Sequence, residues 1–153
     1  MSIKRLSSFV SIAALVFGLQ GPAMAGVVIS GDYYEQSEVS NDCTNQLGCR
    51  VNFEPIPADK RVDIRCINCQ IAGGQPIYSL AMGATAILGG FSNRRMYFPV
   101  QTTLTSTNVY FSTANDETAY LISASRYLYF EVATNAAANT TIKCSVIGRI
   151  TPR

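Results

Sequence analysis

The chain has no histidine and no tryptophan among its 153 residues. Without histidine there is no Ser–His–Asp or Cys–His catalysis, no imidazole metal site and no ordinary switch near neutral pH. Without tryptophan the case for a sugar-stacking platform is weak. Lysine is scarce too. Beyond position 25 only Lys60 and Lys143 remain, both at polar places in alternating patterns, so a Ser–Lys dyad has little to draw on. No later apolar run approaches the ~20 residues that a membrane-spanning helix needs. No Gly-rich phosphate loop, nucleotide motif or EF-hand acid spacing occurs.

What is present begins with a leader. Lys4 and Arg5 precede an apolar stretch from Phe9 to Leu19, and Ala23-Met24-Ala25 has the small-x-small pattern of a cleavage site. This predicts a secretory signal peptide over 1–25, cleavage after Ala25, and a mature domain over 26–153 in the periplasm or the exterior. Two of the 12 basic residues lie in that leader, whereas all 10 acids lie beyond it. The mature domain is therefore formally neutral and lacks the basic stripe that nucleic-acid binding requires. It is long enough to bury a core of its own.

Period-2 alternation dominates the rest. Cys49-Val51-Phe53 alternates with Arg50-Asn52-Glu54, and Val62-Ile64-Cys66 alternates with Arg61-Asp63-Arg65. Both read as half-buried strands. Pro55 and Pro57 mark the loop between them, so the two strands are candidates to pair as a hairpin. After Cys66 the apolar places move to Ile67, Cys69 and Ile71, a slip of one residue that predicts a β-bulge near Cys66-Ile67 or a strand buried on both sides. Gly26 to Ser30 reads as a first edge strand, and 31–48 as polar and irregular. Ile77 to Leu88 reads as one or two buried strands, a helix over 79–88 being the other reading. Met96-Phe98-Val100, Val109-Phe111, Tyr120-Ile122, Leu128-Phe130-Val132 and Ile142-Cys144-Val146 are further strand patterns. Gln101 to Asn108 reads as loop or exposed edge, Ser112 to Glu117 and Thr134 to Thr140 as loops, and Ser123 to Arg126 as a tight turn. Eight to ten short strands with turn signals about every ten residues predict an all-β antiparallel sandwich, jelly-roll-like by strand count.

Five cysteines in an exported chain favour disulfides over metal or redox sites, with one thiol left over. Cys66-x-x-Cys69 lies in a β pattern, not at the helix N-terminus that activates redox pairs. A four-thiolate zinc site has the wrong Cys43-x5-Cys49 spacing. Neither a metal nor a cofactor is implied. Cys43 and Cys49 lie close together around a Gly48 turn and form one expected bridge. Cys144 occupies the apolar phase of the last strand, and its partner is Cys66 or Cys69, which face opposite ways in a regular strand.

The order Cys49-x-Val51-x-Phe53, a Pro-containing loop ending in Lys60, a strand into Cys69, and a late Cys144-Ser145-Val146-Ile147-Gly148 resembles a group of small, signal-bearing bacterial secreted β-sandwich proteins of unassigned function. Ala58-Asp59-Lys60 departs from that group's small-Gly-Lys, and Ile147 from its small polar residue. The resemblance covers about half of the mature domain. It implies a disulfide-stapled sandwich with Cys69 paired to Cys144, in line with the place of Cys69 after the expected bulge, and leaves Cys66 as a buried free thiol. It implies no activity.

Two surface features are candidates for function. By strand phase Tyr97, Tyr110, Tyr127 and Tyr129 lie opposite the buried residues, with Arg94 and Arg95 at their edge. Tyrosine is a common sheet-surface residue, and it is also favoured at interfaces for combining apolar area with a hydroxyl. Asp116, Glu117 and Glu131 are the carboxylates that glycoside hydrolysis could use. The reading that follows is a non-catalytic binding module engaging a protein or glycan of the cell envelope or exterior. A self-assembling cell-surface subunit and a carboxylate-dependent glycoside hydrolase are the alternatives.

Overall fold

The computed structural model describes residues 26–106 and 108–153, the side chains at 41 and 42 excepted. The expected leader lies outside the described residues. The described residues form eight strands: β1 (Val27–Ser30), β2 (Tyr33–Pro55), β3 (Lys60–Gly73), β4 (Ile77–Thr85), β5 (Arg95–Phe98), β6 (Gln101–Ser106), β7 (Val109–Ile122) and β8 (Tyr127–Pro152). All pairings are antiparallel, and there is no helix among the described residues.

Two strands organise the sheet. β2 has 23 residues and β8 has 26, and they pair with each other along most of their lengths. The other edge of β8 is shared. Its C-terminal part pairs with β3 from Lys60↔Pro152 to Gly73↔Thr140, and its N-terminal part pairs with β4 from Thr85↔Tyr127 to Ile77↔Thr134. The first half of the sheet thus runs β1-β2-β8-β3-β7-β6, and the second runs β2-β8-β4-β5. Inward residues of both halves, among them Val62, Ile64, Ile71, Ile142, Phe53, Phe130, Leu80 and Met82, form one buried cluster.

The long strands correct the expectation of many short ones. Residues 31–48 are largely strand, because their inward positions carry polar groups that satisfy one another. Tyr34 and Gln36 are both buried, the Tyr34 hydroxyl donates to Gln36 Oε1, and Gln36 Nε2 donates to Glu38 Oε1. Thr134 to Thr140 also stays in β8. Thr134, Ala138 and Thr140 are buried, and Thr134 Oγ1 donates to Leu47 O. These segments face each other where β2 slips its register against β8 three times between Ser40 and Gly48. The β2–β8 ribbon is irregular there as it passes between the halves.

Ser112 to Glu117 is a third corrected loop. It continues β7 against β3, with Ser112 and Ala114 facing inward. The expected hairpin of Cys49–Glu54 with Val62–Cys66 is not formed. The former pairs with β8 in the second half, and the latter with β8 and β7 in the first. β1 and β6 are edge strands, β4 is strand throughout, and the turn before β8 holds Ser125 at φ 56°.

The cysteines are placed as expected. Cys43–Cys49 bridges the irregular part of β2, with Cα atoms 5.2 Å apart. Cys69–Cys144 joins residues directly opposed across β3 and β8, with Cα atoms 4.2 Å apart and both side chains fully buried. Opposed residues of a non-hydrogen-bonded antiparallel pair approach about this closely. The bulge is present as well. β3 shifts register between Ile64 and Cys66 against both neighbours, so Ile67, Cys69 and Ile71 point inward in phase with Ile64. Cys66 is free but only half-buried, a correction to its expected burial, because the bulge turns it off the inward phase.

Candidate binding face

On the outer side of the second half, cross-strand register aligns side chains into rows. Arg50, Glu131, Ala81 and Tyr97 form one row across β2, β8, β4 and β5. Asn52, Tyr129, Gly83 and Arg95 form the next. The intervening residues Val51, Phe130 and Met82 point into the core, which is why the strands are half-apolar.

Tyr129 lies on this outer side but is 0% exposed, a correction to its expected place on an open surface. Two things cover it. The Arg50 guanidinium lies 3.6 Å from its ring centroid, and the segment joining β4 to β5 folds over it, with Ser92 N–H donating to its hydroxyl at 3.3 Å. Gly83 makes room beneath: a Cβ there would meet the Tyr129 hydroxyl at 2.5 Å. Arg50 is held from three sides, donating through Nε to Asn52 Oδ1 (2.9 Å) and through Nη1 to Gly89 O (3.4 Å) while stacking on Tyr129. Its Nη2 and Glu131 Oε2 are buried without a hydrogen-bond partner. Burial pulls the Arg50 pKa down, against the opposing pull of Tyr129 and Glu131, with Arg95 adding to burial. Arg95 Nη1 lies 3.9 Å from Glu131 Oε1, so Glu131 is shared between two guanidinium-bearing neighbours.

Two clefts flank the rows. One of about 310 Å³ is lined by Tyr78, Ser79, Arg95, Tyr97 and Glu131. The other, about 580 Å³, is lined by Arg50, Asn52, Glu54, Leu88 and Tyr127. Tyr78 and Tyr97 are 64% and 65% exposed at the first.

The six expected binding residues divide. Tyr97, Tyr127, Tyr129 and Arg95 share the outer side. Arg94 turns instead to β7, its guanidinium 4.9 Å from the Tyr120 ring centroid while the Tyr120 hydroxyl donates to Arg94 O at 2.8 Å. Burial raises the Tyr120 pKa. Tyr110 belongs to the first half, on the inward parity of Ser112, Ala114 and Tyr120, and the expected inward residues Val109 and Phe111 are the exposed ones. The strand pattern inverts because the inward places of β7 carry Ser112, Ala114 and Thr118. Arg50 and Tyr78 are members of the site that strand phase alone did not single out. The register of Arg50 against Glu131 was the missing signal.

The carboxylates are dispersed. Asp116 and Glu117 are successive residues of β7 opposite Ile67 and Cys66, while Glu131 belongs to the second half. Among the described residues no three Cys, Asp or Glu side chains group as metal ligands. No helix among them is long and apolar enough to cross a membrane.

Fold and face together define a class: an all-β, antiparallel protein stapled by two disulfides, with an arginine- and tyrosine-rich outer face. No family model matches the chain, and no curated protein or solved structure matches it significantly.

Proposed function

We propose that the protein is a non-catalytic interaction module of the periplasm or cell exterior, binding a protein or glycan through the outer face of its second half. The observation that carries this reading is the alignment of Arg50, Glu131, Tyr97, Tyr129 and Arg95 in two cross-strand rows beside a cleft rimmed by exposed Tyr78 and Tyr97. Tyrosine and arginine are favoured at such surfaces because each couples flat contact area to hydrogen bonding. Two disulfides support an oxidising compartment. That inward residues of both halves share one buried cluster supports the sandwich reading. The test is a glycan array and an envelope pull-down with the purified protein and a Tyr78→Ala/Tyr97→Ala variant. Both side chains are exposed, so the variant keeps its fold. Loss of the retained ligand by the variant is expected, and equal retention by both proteins removes the face from the reading.

Self-assembly is the second reading, and one observation favours it. Edge strand β1 exposes Val27, Val28 and Ile29 at 42%, 51% and 48%, and edge strand β6 is exposed along its whole length. Unprotected apolar edges are templates for pairing with another chain. Light scattering that shows growing polymer, abolished by Val28→Lys, is the result this reading requires. A concentration-independent monomer rejects it.

A further inference from the structure

The segment joining β4 to β5 carries three large apolar side chains that the core does not use. Ile87, Leu88 and Phe91 are 73%, 61% and 77% exposed. They project from a turn with its own scaffold. Gly89 takes φ +76°, a left-handed conformation suited to glycine, and Gly90 N–H donates to Ile87 O at 2.9 Å. The buried Thr85 hydroxyl accepts from Ile87 N–H at 3.2 Å and donates to Ile87 O at 3.1 Å. Arg50 fixes Gly89, and Ser92 Oγ donates to Arg94 O at 2.8 Å. The apolar groups are therefore held outward by a built turn.

Arginines collar the base of this tip. The Arg50 and Arg95 guanidiniums lie 6.0 and 5.8 Å from the Phe91 ring centroid. Arg126 lines a cleft of about 400 Å³ with Ile87 and Phe91. The acids nearby are Glu131, which faces Arg95, and Glu54, which lines the cleft beside Leu88. Positive charge exceeds negative around the tip.

We propose that the Ile87–Phe91 tip docks the protein on an anionic phospholipid surface. A projecting apolar tip above a basic collar reproduces the layering of a bilayer interface, with acyl boundary beneath and phosphates above. A protein partner would call for the polar rim and closely packed core of a protein–protein interface, whereas these three side chains stand 61% to 77% exposed on one short turn. Tyr127, which lines the cleft beside Leu88, is a residue suited to the headgroup level. The tip shares Arg50 and Arg95 with the face above, but the proposal does not rest on that face binding a protein or glycan.

The natural absence of tryptophan makes the test direct. A Leu88→Trp variant carries a single reporter at the tip. With vesicles of phosphatidylcholine containing a minority of phosphatidylglycerol, its emission shifts to the blue and is quenched by acyl-brominated lipid. The unmodified protein co-sediments with the same vesicles, more weakly with phosphatidylcholine alone, and inorganic phosphate does not release it. An Ile87→Ser/Leu88→Ser/Phe91→Ser variant, checked for fold by circular dichroism, loses at least about tenfold in vesicle affinity, while Tyr78→Ala/Tyr97→Ala retains it. Absence of both the shift and the sedimentation overturns the proposal. So does unchanged binding by the triple variant. Tip-dependent capture of a soluble protein without vesicle binding assigns the tip to that partner and overturns it equally.

Discussion

Arg50 stacks on the Tyr129 ring at 3.6 Å while donating to Gly89 O, so one side chain holds the β4–β5 segment over the tyrosine it covers. Arg50→Ala removes both contacts. The expected loss is about 1–2 kcal/mol, within the range of a desolvated cation–π pair. Amide hydrogen exchange at Gly90 and Ser92 becomes faster in the variant while that of β3 is unchanged. Unchanged exchange at Ser92 counts against the clamp.

Gly83→Ala is expected to destabilise by about 1–3 kcal/mol, as overpacking does where neighbours cannot retreat. The added methyl meets the Tyr129 ring, which Arg50 and Ser92 hold in place. Chemical denaturation of Gly83→Ala, Tyr129→Ala and the double variant checks this. The pair is non-additive, with the glycine substitution far less costly once the ring is gone.

The two disulfides differ in their expected contributions. Cys69–Cys144 spans 75 residues and Cys43–Cys49 spans 6. On loop entropy the first contributes about 4.5 kcal/mol and the second about 2 kcal/mol. Denaturant midpoints of the Cys69→Ala/Cys144→Ala and Cys43→Ala/Cys49→Ala variants rank in that order. A larger loss from the short-range pair contradicts the assignment of the long-range bridge as the main staple.

Cys66 is half-buried and unbridged, between Glu117 of β7 and Ile147 of β8. One thiol per molecule is expected to react with an aromatic disulfide reagent in the non-reduced protein, slowly in the native state and at once after denaturation. Peptide mapping places the label on Cys66. A label on Cys69 reassigns the bridge to Cys66–Cys144, and a label on Cys144 reassigns it to Cys66–Cys69.

Alkaline stability turns on Tyr34. Burial, with Glu38 adding to it, raises its pKa above the ordinary 10.0. The fold therefore favours the neutral phenol. Its contribution is fully present below pH 10 and is lost as the pH climbs toward the raised value. The melting temperature falls across that alkaline range, and Tyr34→Phe flattens the decline although it gives up the hydrogen bond to Gln36.

Legibility in the sequence followed burial chemistry. Where inward places are large and apolar, as at Val51-Phe53, Val62-Ile64 and Ile142-Val146, alternation reported strand and face together. The slip after Cys66 reported the bulge, and the bulge decided which cysteine faces Cys144. The pattern failed where inward places are polar or small. Gln36, Ser112, Ala114 and Thr140 are buried, and each lies in a stretch that read as irregular or as loop. Tyr110 and Phe111 were exchanged for the same reason. The candidate face was half legible, because strand phase shows which side a tyrosine takes but not what covers it. The cover over Tyr129 comes from a segment nearly 40 residues earlier in the chain, joined by Ser92 and Gly89.

The strand at the middle of the sheet follows all of its partners in the chain. β8 separates β2 from both β3 and β4, so until residues 127–152 emerge those three strands have no common neighbour to pair with. Long-range pairing of this kind is slow to form. A chain halted at residue 126 therefore remains open to protease, and closure comes as one late event that draws both halves together. Under the proposed export, that delay keeps the chain threadable until β8 is available.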